Sequence, residues 1–188
     1  MEQTESSPAL AVDLAQSCVE FVRRAVGVAP DFTPETLPLV DHYLAQAAAE
    51  GRERPEALEL VARAAGAYFG ELLRRDFDCW WFTDDGDDLA AWMIRFRDVY
   101  LELSPYALAA AALGLPEAKA AAGFTIDPDD IEYIGAHLAN LPPLPDEEHD
   151  LLSTRHEVIE IVTDQLKGRA GLRNLGDVTF EDADYEEG

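Results

Sequence analysis

The chain is short of cysteine and of positive charge, and each shortage excludes something. Only Cys18 and Cys79 are present, too few for a disulfide framework. Cys18 falls on the apolar stripe of a predicted helix and Cys79 lies beside Trp80 and Trp81, so both read as small buried hydrophobes. Lys and Arg total 14 against 38 Asp and Glu, a formal charge of −24. Such a field repels phosphate backbones and anionic lipid head groups. It argues against nucleic acid or a membrane as the main partner and favours a basic protein. Mimicry of nucleic acid is disfavoured as well: residues 101–150 hold ten acids and one Lys, but the acids come in separate clusters. No run approaches the ~18 apolar residues of a transmembrane helix. The opening Met1-Glu2-Gln3-Thr4-Glu5 lacks the basic-then-apolar order of a signal peptide, and the expected compartment is the cytoplasm. A nucleophile elbow, a phosphate loop, a dinucleotide fingerprint, a CxxC pair and an HExxH helix are all missing. No catalytic residue, cofactor or metal is therefore expected.

What is present is enough for one core. A chain of 188 residues that is 48% apolar buries roughly 70% of its unfolded surface and needs no staple. Residues 1–175 are expected to form a single α+β domain. Beyond Gly176 the chain has six acids and no base, and residues 176–188 read as an acidic, disordered tail.

Helix starts are well marked. Ser7-Pro8, Thr33-Pro34, Ser104-Pro105 and Asp127-Pro128 each place a capping side chain before a proline, which fits the first helical position because its missing N–H is not needed there. Pro55-Glu56 is a fifth start with a weaker cap. Leu10, Leu14, Cys18, Phe21 and Ala25 recur at helical spacing, as do Leu37, Val40, Leu44 and Ala47. Leu58, Val61, Ala62, Ala65, Tyr68, Phe69 and Leu72 form the cleanest stripe, and within it Ala62, Gly66 and Gly70 leave a flat groove for a neighbouring backbone. A short helix is predicted over 129–140, then a stiff Leu141-Pro142-Pro143-Leu144-Pro145 connector and a long final helix from near Asp146.

Between the third helix and Ser104 the period changes to two. Cys79 to Phe82 is rich in strand formers. Trp92, Ile94 and Phe96 alternate with Met93, Arg95 and Arg97, and after Asp98 the apolar set is Val99, Leu101 and Leu103, so the parity flips. One strand cannot absorb that flip without turning half its apolar residues outward. A two-residue turn at Arg97-Asp98 resolves it, pairing Phe96 with Val99, Ile94 with Leu101 and Trp92 with Leu103. The expected architecture is α+β: five to six helices on one face of a small three-stranded antiparallel meander.

Candidate sites are few. Asp84, Asp85, Asp87 and Asp88 lack the spacing of an EF-hand loop and read as a solvated connection. His149 and His156 lie seven apart on one predicted helix, but metal binding would need a further ligand; they read as ordinary helix residues, like His42 and His137. Arg74 and Arg75 suit the negative end of the third helix dipole. Trp80, Trp81, Arg95, Tyr100 and Glu102 form the candidate interaction surface, since an aromatic beside a guanidinium makes a good protein-binding anchor.

The stretch Gly66-Ala67-Tyr68-Phe69-Gly70-Glu71-Leu72-Leu73-Arg74-Arg75, followed by Trp80-Trp81, resembles a pattern in uncharacterised bacterial proteins where an AYxGExxRR helix leads into a tryptophan-containing strand. Some such domains are similar to immunity proteins of bacterial toxin systems. The resemblance implies a bacterial α+β domain and transfers no catalytic residue; abundant Ala and an excess of Arg over Lys suit a GC-rich genome. The expected function is non-enzymatic protein interaction, adaptor-like or immunity-like, with small-ligand or metal binding as the alternative.

Overall fold

The computed structural model describes residues 6–51, 54–83, 86, 88–172 and 178–186. Its central element is α3 (Pro55–Asp76), where from Ala62 to Leu73 only Arg63 and Glu71 are not buried. A helix buried all round needs neighbours all round. α1 (Ala9–Val26) lies along one flank, α4 (Pro105–Ala112) along another, and the sheet begins just past its end. The expected small-residue groove receives a backbone at Gly66 and a side chain at Gly70. A Cβ on Gly66 would stand 2.8 Å from the Tyr106 Cα, and one on Gly70 would run into the Trp81 ring. α1 meets α3 through Ala11, Ala15, Cys18 and Val22, a stripe rotated from the one expected. Leu10 and Ala25 face outward instead. Two alanines at the seam let the backbones approach, which larger side chains would prevent.

The proline-marked starts hold in position, but neither Ser7 nor Thr33 caps through its side chain. Pro55 opens α3, Ser104 Oγ accepts from Ala107 N at 3.2 Å to cap α4, and Asp127 accepts from Asp129 N at 2.8 Å. Ser7, by contrast, caps nothing; its Oγ accepts from Arg74. α2 (Leu37–Glu50) buries Leu37, Val40 and Leu44, and also Asp41. Asp41 caps a different helix, accepting from Leu152 N at 2.7 Å and Ser153 N at 3.1 Å in the first turn of α6 (Leu152–Leu172). The final helix thus starts later than expected, after an isolated 3-10 turn at Asp146–Glu148. α5 (Ile131–Leu138) is likewise shorter than 129–140.

Four antiparallel strands lie in sequence order: β1 (Cys79–Phe82), β2 (Met93–Phe96), β3 (Leu101–Leu103) and β4 (Phe124–Ile126). The meander therefore gains a strand over the expected three. Leu103 pairs with Phe124 and Leu101 with Ile126. The central hairpin is also corrected. Ile94 pairs with Leu103 and Arg95 with Glu102, two residues away from the expected register, and the turn spans 97–100. A tight two-residue turn wants positive φ, which Arg-Asp resists; no residue of 97–100 has it. A shift of two preserves the parity, so Ile94, Phe96, Leu101 and Leu103 still share the buried face. Trp92 precedes β2 rather than pairing with Leu103, and its indole N–H donates to Gly86 O at 2.8 Å.

The tail is the other correction. Residues 176, 177, 187 and 188 lie outside the described residues. Over 178–186, however, the chain is docked and carries α7 (Asp182–Glu186), which brings the helices to seven among the described residues. Helices pack on the inner sheet face; α7 covers part of the outer one.

Candidate functional site

Strand alternation decides where the sequence-predicted interaction residues go. Trp80, Phe82, Arg95 and Glu102 point to the outer face of the sheet, while Trp81 points inward. Trp81 is thus removed from the candidate surface: it packs on Gly70, lies edge-on to Trp92 and donates to Glu71 Oε1 at 2.8 Å. Trp80, Arg95, Tyr100 and Glu102 do come together, and α7 sits on them.

Arg95 is the hub. Its Nε donates to Glu102 Oε2 at 2.6 Å and its Nη1 to Asp182 Oδ1 at 3.0 Å, and its guanidinium lies 3.5 Å from the Phe82 ring centroid. Burial lowers the guanidinium pKa, but the two carboxylates outweigh it and hold it above the ordinary value. The same Asp182 oxygen accepts from Trp80 Nε1 at 3.0 Å. Tyr185 stacks on Tyr100 with ring centroids 4.6 Å apart and meets Trp80 edge-on at 5.9 Å. Its hydroxyl lies 2.6 Å from Phe96 O and accepts from Leu101 N at 3.2 Å, and burial pushes the phenol pKa up. Upstream, Phe180 N donates to Arg97 O at 2.8 Å. Phe180 and Tyr185 were the legible signal: two aromatics in an acidic tail are anchors that a solvated segment does not need.

A second feature was invisible in the sequence. A cleft of about 690 Å³ opens between α3, α4 and the 115–121 segment, with Met93, Ala91, Ala107 and Leu115 in its wall. Two of its polar residues, Tyr106 and Glu59, are bonded to each other and onward to Arg63 and Asp88 outside its lining. Tyr106 Oη donates to Glu59 Oε2 at 2.6 Å, Arg63 Nε to Glu59 Oε1 at 3.0 Å, and Arg63 Nη1 to Asp88 Oδ1 at 2.8 Å. Burial and then the Glu59 carboxylate push the Tyr106 pKa up to about 12. The phenol is thereby held as a neutral donor, and both Glu59 oxygens are already engaged. Such a set is poorly prepared to move a proton near neutral pH. Glu117, exposed on the opposite lip, adds a second carboxylate.

The remaining candidates serve the fold. Asp84, Asp85 and Asp87 lie outside the described residues, whereas Asp88 caps a 3-10 turn through Ala90 N and pairs with Arg63. His149 precedes α6 and is exposed; His156 is buried 2.8 Å from Asp76, so the two histidines do not converge. His42 only approaches Gln46, at 3.0 Å. Arg75 lies over the Phe32 ring at 3.9 Å and Arg74 reaches Ser7, so both tie α3 to earlier segments. Cys18 and Cys79 are free thiols, buried as expected, and burial raises both pKa values. Among the described residues no group of three His, Cys, Asp or Glu side chains converges to hold a metal ion, and no helix is long and apolar enough to cross a membrane. Compared with known proteins, the chain matches no family model, no curated protein and no solved structure.

Proposed function

We propose that the protein works by binding a basic protein partner in the cytoplasm, in an adaptor-like or immunity-like role, with an apolar side chain of the partner seated in the cleft between α3 and α4. The observation that carries this reading is the pairing of an open apolar cleft with carboxylates, Glu59 and Glu117, on a chain of charge −24. An apolar anchor in a pocket supplies affinity and the surrounding charge supplies rate and selectivity. The resemblance of Gly66–Trp81 to immunity-type domains points the same way, and Glu59 stands on the same helix.

The test uses a synthetic Lys/Arg-rich peptide with one central Leu or Phe. The protein should bind it in a titration calorimeter, more weakly as salt rises, and should not bind the Glu-substituted peptide. Ala91→Trp, an exposed wall residue, should abolish binding without unfolding the chain. Equal affinity for both peptides, or for the Ala91→Trp variant, rules the reading out. The volume of the cleft supports a second reading, since small-molecule sites span roughly 300–1,000 Å³. In that case a small apolar ligand, and no peptide, raises the melting temperature.

A further inference from the structure

The outer face of the sheet bears the most definite recognition geometry in the molecule, and the chain's own tail shows what it recognises. Trp80 is buried yet stands apart from the continuous apolar core, with the tail's Tyr185 edge-on to its ring and Asp182 on its indole N–H. The seat has three parts. The Arg95 guanidinium and the Trp80 indole N–H converge on one carboxylate oxygen of Asp182. Tyr100 and Trp80 form an aromatic slot for the Tyr185 ring. The turn carbonyls and the Leu101 N–H surround the Tyr185 hydroxyl. Arg97, 4.7 Å from the Trp80 ring centroid and paired with Asp78 at 3.4 Å, closes the edge. Glu102 and Asp78 balance the charges of Arg95 and Arg97, so the seat recognises the aspartate by two converging N–H donors rather than by net charge.

The tail is held by its docked side chains and not by its own helix. Five residues are too few to be helical alone, so α7 owes its order to the side chains that dock, and Asp182 remains half exposed. We propose that this face is a docking surface for acidic peptide segments of a partner protein carrying an aspartate three residues before a tyrosine, and that the chain's own Asp182–Tyr185 segment occupies it as an internal competitor. The spacing is a consequence of the seat. Asp182 and Tyr185 are one helical turn apart, so both reach the sheet from one side of a single turn. An intramolecular occupant acts at an effective concentration of about millimolar, and a partner's apparent affinity falls by the fraction of time the seat is free. Perturbing the tail therefore exposes the site without altering it.

The experiment titrates a fluorescein-labelled peptide of residues 178–186 into the full chain and into its Tyr185→Ala variant, read by anisotropy. The variant should bind the peptide at least tenfold more tightly than the wild type. Replacing the peptide's own tyrosine by alanine, or placing Arg97→Glu in the variant, should weaken binding at least tenfold. A cooperative thermal transition for Tyr185→Ala, whatever its midpoint, shows that the core carrying the seat is folded. No binding to that folded variant, or equal binding to both proteins, overturns the proposal. So does self-association of the wild type that Tyr185→Ala abolishes, since the occupant in trans is then the tail of a second copy.

Discussion

Removing the Asp41 side chain tests the reasoning about buried polar groups. Asp41 belongs to α2 but accepts the first free N–H groups of α6, at 2.7 Å from Leu152 and 3.1 Å from Ser153. Leu152 is fully buried, so in Asp41→Ala its N–H has no partner, which costs about 1–3 kcal/mol. Ser153 is half-buried and water can replace part of its bond; loss of a capping contact there costs about 0.5–1 kcal/mol. The expected destabilisation is about 2–4 kcal/mol. Asp41→Asn should behave differently. Burial, the largest influence, raises the Asp41 pKa against the opposing hydrogen bonds from Ser153 and Leu152, so the charge itself adds nothing net at neutral pH. An amide oxygen can take over the shorter bond, and Asn should cost no more than about 1 kcal/mol. The sign in pH follows. Because the folded-state pKa lies above the unfolded one, the stability of wild type relative to Asp41→Asn is highest below pH 3.8 and declines as pH rises through the raised value. Urea unfolding at pH 7 should show the Asp41→Ala midpoint lowered by roughly 1–2 M with its slope unchanged. Equal losses for Ala and Asn would refute the reasoning, because charge would then carry the contact. A loss below about 0.5 kcal/mol for Ala would mean the capping bonds are not formed.

Two glycines should respond in opposite directions in thermal unfolding. Gly66→Ala forces a Cβ against the Tyr106 backbone and should destabilise by about 1–3 kcal/mol. Gly135→Ala meets open space on exposed α5 and should stabilise by about 0.4–1 kcal/mol; the same sign at both sites would contradict the packing. Subtracting the 295 nm alkaline titration of Tyr106→Phe from that of the wild type should isolate one phenol ionising near pH 12. A midpoint near 10 would mean that Tyr106 does not donate to Glu59. Because that folded-state pKa is raised, the contribution of the bond to stability is complete below pH 10 and fades towards 12.

Legibility varied with how local the cause was. Pro55, Ser104-Pro105 and the Ala62-Gly66-Gly70 face act through the backbone beside them, and they could be read directly. Parity in the hairpin was legible because alternation is local, but the register was not: shifts of two keep every face, and only the Arg95–Glu102 ion pair and the absence of positive φ in 97–100 separate them. β4 has three residues, too short to carry a period. The rotated stripe of α1 depends on which face α3 turns towards it, which α1 alone does not reveal. The cluster on the outer sheet face was half legible. Trp80, Arg95, Tyr100 and Glu102 meet as expected, but their occupant comes from residues 180–185, whose charge disguised two anchors. Nothing local announces the cleft, whose walls come from segments distant in sequence.

Methionine offers a direct view of that cleft. The chain has only Met1 and Met93, and Met93 lines the cleft wall. With both methyl groups labelled in ¹³C, titration with the basic peptide should move the Met93 signal in a saturable way, with the calorimetric affinity, and leave Met1 still. A Met93 signal that stays fixed while the peptide binds would contradict the assignment of the cleft as the partner's seat.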